Sequence, residues 1–279
     1  MAYSAEISRR NPSCIFFLFD QSGSMADPFP GGTERKADAL ATIANRTLSR
    51  LVVRCTFGEE IRDYFHLGVI GYGGRVGPAL GGALAGKELV PISELGKNPM
   101  RIEERRQKVE DGAGGLVEQT VKFPVWFDPV AENGTPMCQA VGQAQRILSD
   151  WLAQHPACFP PTVIHVTDGE STDGDPRAAL EGLATLSSQD GRVILFSVHL
   201  SSNPSATEIV WPDSSVKFPD QYAQMLFDTA SLLLPFHISQ ARRDFGRDLP
   251  QGAKAFVLNA KAATVIEAFD IGTRPDPQI

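Results

Sequence analysis

A chain of 279 residues with 42% apolar and 21% charged side chains has an ordinary globular composition. It is long enough to bury about three quarters of the surface its unfolded form exposes. Its 26 basic and 33 acidic residues leave a formal charge of −7, which argues against nucleic acid or an anionic membrane as a partner, because both demand a basic footprint.

The first strong element is the apolar run 14–19 (CIFFLF), which stops at Asp20. Paired arginines precede it, as in an export signal, but six residues fall short of the roughly 7–15 of a signal core. Nor does any stretch approach the ~20 apolar residues of a membrane span. A helix follows over 33–54, with Ala37, Leu40, Ile43, Ala44, Leu48, Leu51 and Val52 on one stripe. Residues 65–72 (FHLGVIGY) read as a second strand. Residues 73–130 are glycine-rich at first. They then carry a charged, helix-like run at 101–110 (RIEERRQKVE) followed by GAGG, and are expected to hold a weak strand, a helix and loops.

Pro136 opens a further amphipathic helix over 137–155. Strands are expected at 162–167 (TVIHVT) and 192–200 (RVILFSVHL), with helices at 176–186, 221–233 and 261–269. Residues 236–252 are polar and show no period, and 255–258 (AFVL) are expected as an edge strand. The strand runs are continuously apolar rather than alternating, which marks strands covered on both faces. Strands alternating with helices then predict a three-layer α/β/α fold, with a mostly parallel central sheet and helices on both faces.

In such sheets functional groups collect at the carboxyl ends of the strands, where strand order reverses. Asp20 ends the first strand, and Ser22 and Ser24 follow it in DQSGS. Asp168 ends 162–167 inside VTDGE, and Thr135 stands in NGTPM before a helix it could equally cap. Two carboxylates and three hydroxyls are hard oxygen donors, suited to Mg2+ rather than to zinc or copper.

These three segments, in this order, resemble the von Willebrand factor A-type (vWA) family and its metal-ion-dependent adhesion site, D-x-S-x-S followed by a distant Thr and a distant Asp. The resemblance runs from about residue 12 to 234, with a strand–helix extension at about 253–272 and a looser insertion at about 73–130, within one vWA-like domain over 1–279. It implies that Ser22, Ser24 and Thr135 touch the metal directly, while Asp20 and Asp168 hold it through waters. Mg2+ is the expected ion, with Mn2+ or Ca2+ as substitutes. A metal whose direct ligands are neutral stays electrophilic, so the implied function is capture of an Asp or Glu from a partner protein. The resemblance points to the intracellular bacterial members, cytoplasmic adaptors beside kinase, phosphatase or tellurite-resistance-type components.

The alternative is a Mg2+-dependent hydrolase or phosphotransfer component on the same metal; a third reading gives the metal a structural role only. Against catalysis, Ser22 stands where a dehalogenase-type phosphatase needs a second aspartate. There is no GxxxxGK[ST] loop and no G-x-S-x-G elbow. The chain is therefore expected not to be an enzyme. Cys14, Cys55, Cys138 and Cys158 form no CxxC pair and fit a reducing compartment. His66, His165 and His199 lie in strand runs as core histidines, whereas His155 and His237 fall in loops near prolines. Asp173 and Asp175 read as turn or cap residues, and Asp27 as a loop residue near the rim.

Overall fold

The computed structural model describes residues 3–30, 32–110, 116–203 and 205–274. The chain begins with β1 (Ser13–Asp20), α1 (Lys36–Arg54), β2 (Thr56–Phe57), β3 (Glu60–Ile61) and β4 (Phe65–Tyr72). Next come β5 (Val76–Pro78), β6 (Val90–Pro91), α2 (Ile92–Lys97), β7 (Arg101–Glu110) and β8 (Leu116–Val125). Then follow α3 (Met137–Gln154), β9 (Thr162–Thr167), α4 (Arg177–Thr185), β10 (Ile194–Leu200) and β11 (Ile209–Val210). The last elements are α5 (Gln221–Thr229), α6 (Pro235–Phe245), β12 (Phe256–Ala260) and α7 (Ala262–Gly272).

Among the described residues, eight strands form one sheet in the order β11-β12-β10-β9-β1-β4-β5, with β6 paired to β4 beside that path. The neighbours β12, β10, β9, β1 and β4 all run parallel. The short strands β5, β6 and β11 pair antiparallel at the edges. Every residue of β1 is buried, because its side chains alternate between two apolar cores. Ile15, Phe17 and Phe19 face α1 and α7, where Phe269 stacks on Phe17 and Phe19 at 5.4 and 5.9 Å. Cys14, Phe16 and Leu18 face the opposite core, which takes in Ala140, Ala144 and Leu148 of α3 and Leu180 and Leu183 of α4. This is the expected α/β class, three layers with a mostly parallel, Rossmann-like central sheet, and the unbroken apolar runs that identified it reflect burial of both faces.

Three expectations are corrected. The charged run Arg101–Glu110 is a strand, not a helix: it pairs antiparallel with β8 from Arg101↔Val125 to Glu110↔Leu116. Its helix-favouring Glu and Arg residues are overridden by pairing with β8, a tertiary contact that no local reading contains. The Arg105 guanidinium lies 3.6 Å over the Phe123 ring, and Glu103 accepts from both Arg101 and Arg105. The adjacent GAGG at 112–115 lies outside the described residues.

Residues 236–252, expected to be irregular, begin with α6, and His237 lies in that helix rather than in a loop. The missing apolar period has a physical cause, since the buried face of α6 carries His237 and Gln240 beside Ala241. Gln240 Nε2 donates to the carbonyl of Asp270 at 3.0 Å. Pro235 at the first helical position and Gly246 at φ 63° bound the helix at both ends. Finally, β12 is not an edge strand; β11 pairs along its outer side.

Candidate metal centre

Strand order reverses at β1. The chain passes from β1 through α1 to β4 on one side, and later reaches β9 on the other side. The loop after β1 leads to α1 on one face of the sheet and the loop after β9 leads to α4 on the other, so a crevice opens between them. The register Phe19↔Val166 sets the ends of β1 and β9 side by side, and the loops that follow carry Asp20, Ser22, Ser24 and Asp168.

Asp20 is 1% exposed, and both of its carboxylate oxygens accept hydrogen bonds. Oδ1 takes the Ser22 backbone N–H at 2.8 Å and Oδ2 takes the Thr167 hydroxyl at 2.8 Å. Burial pushes its carboxyl up to about 6; the neighbouring Asp168 charge adds to the rise, while bonds from Ser22 and Thr167 oppose it. Ser22 Oγ and Ser24 Oγ lie 3.0 Å apart, and Ser24 Oγ donates to Asp168 Oδ1 at 2.7 Å. The second Asp168 oxygen, Oδ2, stands 2.6 Å from the Lys36 ammonium in a pair whose side chains are 2% and 0% exposed.

Thr135 reaches this rim through a braced loop. Gly23 N–H donates to the carbonyl of Asn133 at 2.8 Å, and Glu132 N–H donates to the carbonyl of Gln21 at 2.7 Å. Asn133 takes a left-handed backbone at φ 61°. Thr172 clamps the same turn, accepting the Thr135 N–H on its hydroxyl and donating its own N–H to the Thr135 carbonyl, both at 2.9 Å. The Thr135 hydroxyl does not cap α3. That task falls to Asp173, whose two oxygens accept the N–H groups of Cys138 and Gln139 at 3.0 and 2.9 Å. Asp173 is thus a cap, and Asp175 a turn residue whose Oδ1 accepts the Arg177 N–H. Asp27 is exposed, and its carbonyl accepts the Lys36 N–H.

The five residues expected to hold a metal therefore border one crevice. A methyl placed on Gly169 would sit 3.9 Å from Thr135 Oγ1 and 4.0 Å from Ser24 Oγ, so both hydroxyls face this glycine. Neighbouring ligands of an octahedral Mg2+ lie about 2.9 Å apart when its bonds are about 2.0–2.1 Å. The 3.0 Å between the serine hydroxyls matches that edge. The donor types, and the spacing of the two serine hydroxyls, fit a small hard cation. Among the described residues no group of three His, Cys, Asp or Glu side chains is placed to hold a metal ion; the crevice brings two carboxylates, and its other donors are hydroxyls.

Sequence reasoning missed Thr167, Thr172, Asp173 as a bridge between loops, and above all Lys36. The sequence held half of the signal for Lys36: it lies four residues before Leu40, on the apolar stripe of α1, but nothing local places Asp168 against it. A cation on a buried helix face needs a buried anion, and Asp168 supplies it. His199 pairs in register with Thr167 on β9, next to Asp168, and its ring meets Tyr222; the other histidines have partners in the core. His165 Nε2 bonds to Tyr72 Oη at 2.7 Å, and His66 Nδ1 accepts from Trp151 Nε1 at 2.7 Å. His155 follows the last turn of α3 and stacks on Trp151 at 4.2 Å.

Among the described residues no helix is long and apolar enough to cross a membrane. No family model matches the chain, and no curated protein matches it. Among solved structures it is similar to the vWF domain of the type V pili tip protein Mfa5 from Porphyromonas gingivalis. That likeness has 14% sequence identity and a TM-score of 0.32, over 57% of this chain and 38% of the other.

Proposed function

We propose that the crevice binds Mg2+ and uses it to capture an Asp or Glu side chain of a partner protein, so that the chain works as a binding module and not as a catalyst. The observation that carries this reading is the convergence of three hydroxyls and two carboxylates with buried side chains on one crevice, with the serine oxygens 3.0 Å apart. Ser22, Ser24 and Thr135 would ligate directly. Asp20, with both oxygens already accepting bonds, would hold waters and orient the serine loop. Mn2+ or Ca2+ could take the same oxygen set.

Charge supports a carboxylate as the captured group. Asp20, Asp168 and Lys36 together carry −1, a divalent ion brings the crevice to +1, and a single carboxylate neutralises it. The metal supplies electrophilic attraction for that anion when bound. Kinase, phosphatase or tellurite-resistance-type partners in a bacterial cytoplasm remain within this reading as expectations of the vWA resemblance.

The test is a pull-down from the native cell with and without EDTA, repeated with Asp20→Ala, alongside titration of Mg2+ into the purified chain. Capture should be lost in EDTA and in the variant, and metal affinity should fall by about 10–100-fold. Retention of both metal and partner by Asp20→Ala would refute the reading. Turnover of phosphoesters by the isolated chain in Mg2+ would favour the hydrolase instead.

A further inference from the structure

Lys36 is an expensive residue to place where it is. Its side chain is 2% exposed, and an ammonium taken out of water needs full compensation. It receives that from Asp168 Oδ2 at 2.6 Å and from Ser202, whose Oγ accepts from Nζ at 2.5 Å. The position is fixed from both ends. The Lys36 N–H donates to the carbonyl of Asp27 at 2.9 Å. The rest of the helix face is locked by buried Leu40, Ile43, Ala44, Leu48 and Leu51. The ammonium therefore cannot reach solvent without lifting the start of α1.

We propose that Lys36 is a built-in counter-charge that weakens metal binding by the free crevice and so makes metal retention depend on a partner's carboxylate. This rests on the metal-centre reading above. Without Lys36 the two aspartates alone would neutralise a divalent ion, and the loaded crevice would hold no surplus charge to attract an anion. With Lys36 the loaded crevice carries +1, a state that a low-dielectric site disfavours until an anion arrives. The lysine also draws on the same carboxylate that would orient the metal's waters, so ammonium and metal compete for Asp168. Metal and partner then bind cooperatively, and the coupling resides in one side chain outside the D-x-S-x-S segment.

The test titrates MgCl2 and MnCl2 by calorimetry into the full chain as wild type, Lys36→Gln, Lys36→Met and Lys36→Arg, with melting curves for each. The two neutral variants should bind metal at least about tenfold more tightly than wild type, and Lys36→Arg should stay near wild type. A wild type too weak to measure beside neutral variants that do bind would support the proposal equally. Neutral variants that bind no better than a metal-binding wild type would overturn it and leave the metal centre intact. If no form binds either ion while all melt cooperatively, the metal-centre reading itself fails and this inference falls with it. If both neutral variants fail to fold even in saturating Mg2+, the charge is needed in the loaded state too, and the proposal is again overturned.

Discussion

Replacing Asp168 by alanine isolates the buried ion pair from everything else in the crevice. The substitution strips Lys36 of its carboxylate and leaves the ammonium, 2% exposed, with the Ser202 hydroxyl as its remaining polar contact among the described residues. It also removes the acceptor of the Ser24 hydroxyl. Breaking a buried pair by deleting one partner costs about 3–5 kcal/mol, because the surviving charge stays buried and uncompensated. For a chain of this size that corresponds to a fall in Tm of roughly 6–20 °C, at about 2–4 °C per kcal/mol. Urea unfolding in EDTA reads the quantity without any metal contribution. The decisive comparison is the double variant Lys36→Met with Asp168→Ala. Removing the orphaned ammonium as well should make it no less stable than Asp168→Ala alone, a strongly non-additive cycle. If Asp168→Ala lay within about 1 kcal/mol of wild type, or the two substitutions simply added, the pair would not be the buried, mutually compensating contact described here.

Two further outcomes follow from groups away from the crevice. Burial holds His237 neutral, with its pKa lowered to about 3, so between that value and the ordinary 6.5 the unfolded chain binds the extra proton and stability falls as pH falls. Replacing His237 by glutamine should flatten the stability–pH slope by about 1.4 kcal/mol per pH unit between pH 6 and 4, measured by urea unfolding at several pH values; an unchanged slope would contradict its neutral burial. Asn45 on α1 is 2% exposed; its Oδ1 accepts the N–H groups of Trp126 and Phe127, and its Nδ2 donates to the carbonyls of Ala41 and Phe127. Asn45→Leu strands two buried donors and should cost about 2–5 kcal/mol in unfolding free energy, whereas a loss below 1 kcal/mol would mean that water reaches the 126–127 backbone.

What could be read from the sequence divides along physical lines. The central strands were legible because a strand buried on both faces leaves an unbroken apolar run, and 65–72 and 162–167 agree with β4 and β9 to the residue. The places of Asp20 and Asp168 at the strand ends were legible because they stand where such runs stop. The β7–β8 pair was not, since β7 gains its structure from a partner strand further along the chain, including the Arg105–Phe123 contact. Helix α6 was hidden by a polar buried face, although Pro235 and Gly246 marked both its ends. Lys36 went unread for a different reason. A lysine at the start of an amphipathic helix is ordinarily solvated, and its burial depends on where β9 delivers Asp168, which only the strand order reveals.

The two aspartates of the crevice are held in different ways, and the difference follows from where their strands end. Asp20 is the last residue of β1, and its oxygens are fixed by a backbone N–H two residues on and by a hydroxyl from the adjacent strand β9. Both partners belong to the sheet or to the first turn leaving it, so Asp20 is as rigid as the core beneath it. Asp168 lies one residue past β9, and its partners are side chains from elsewhere: Ser24 from the loop after β1 and Lys36 from the start of α1. Lys36 is tied in turn to Ser202, beyond the end of β10. A cation drawing on Asp168 therefore competes with an ammonium whose release would have to move the first turn of α1, whereas a cation drawing on Asp20 meets no such competitor. The rigid carboxylate fixes where the crevice is, and the shared one links its charge state to a helix end and to the loop after β10.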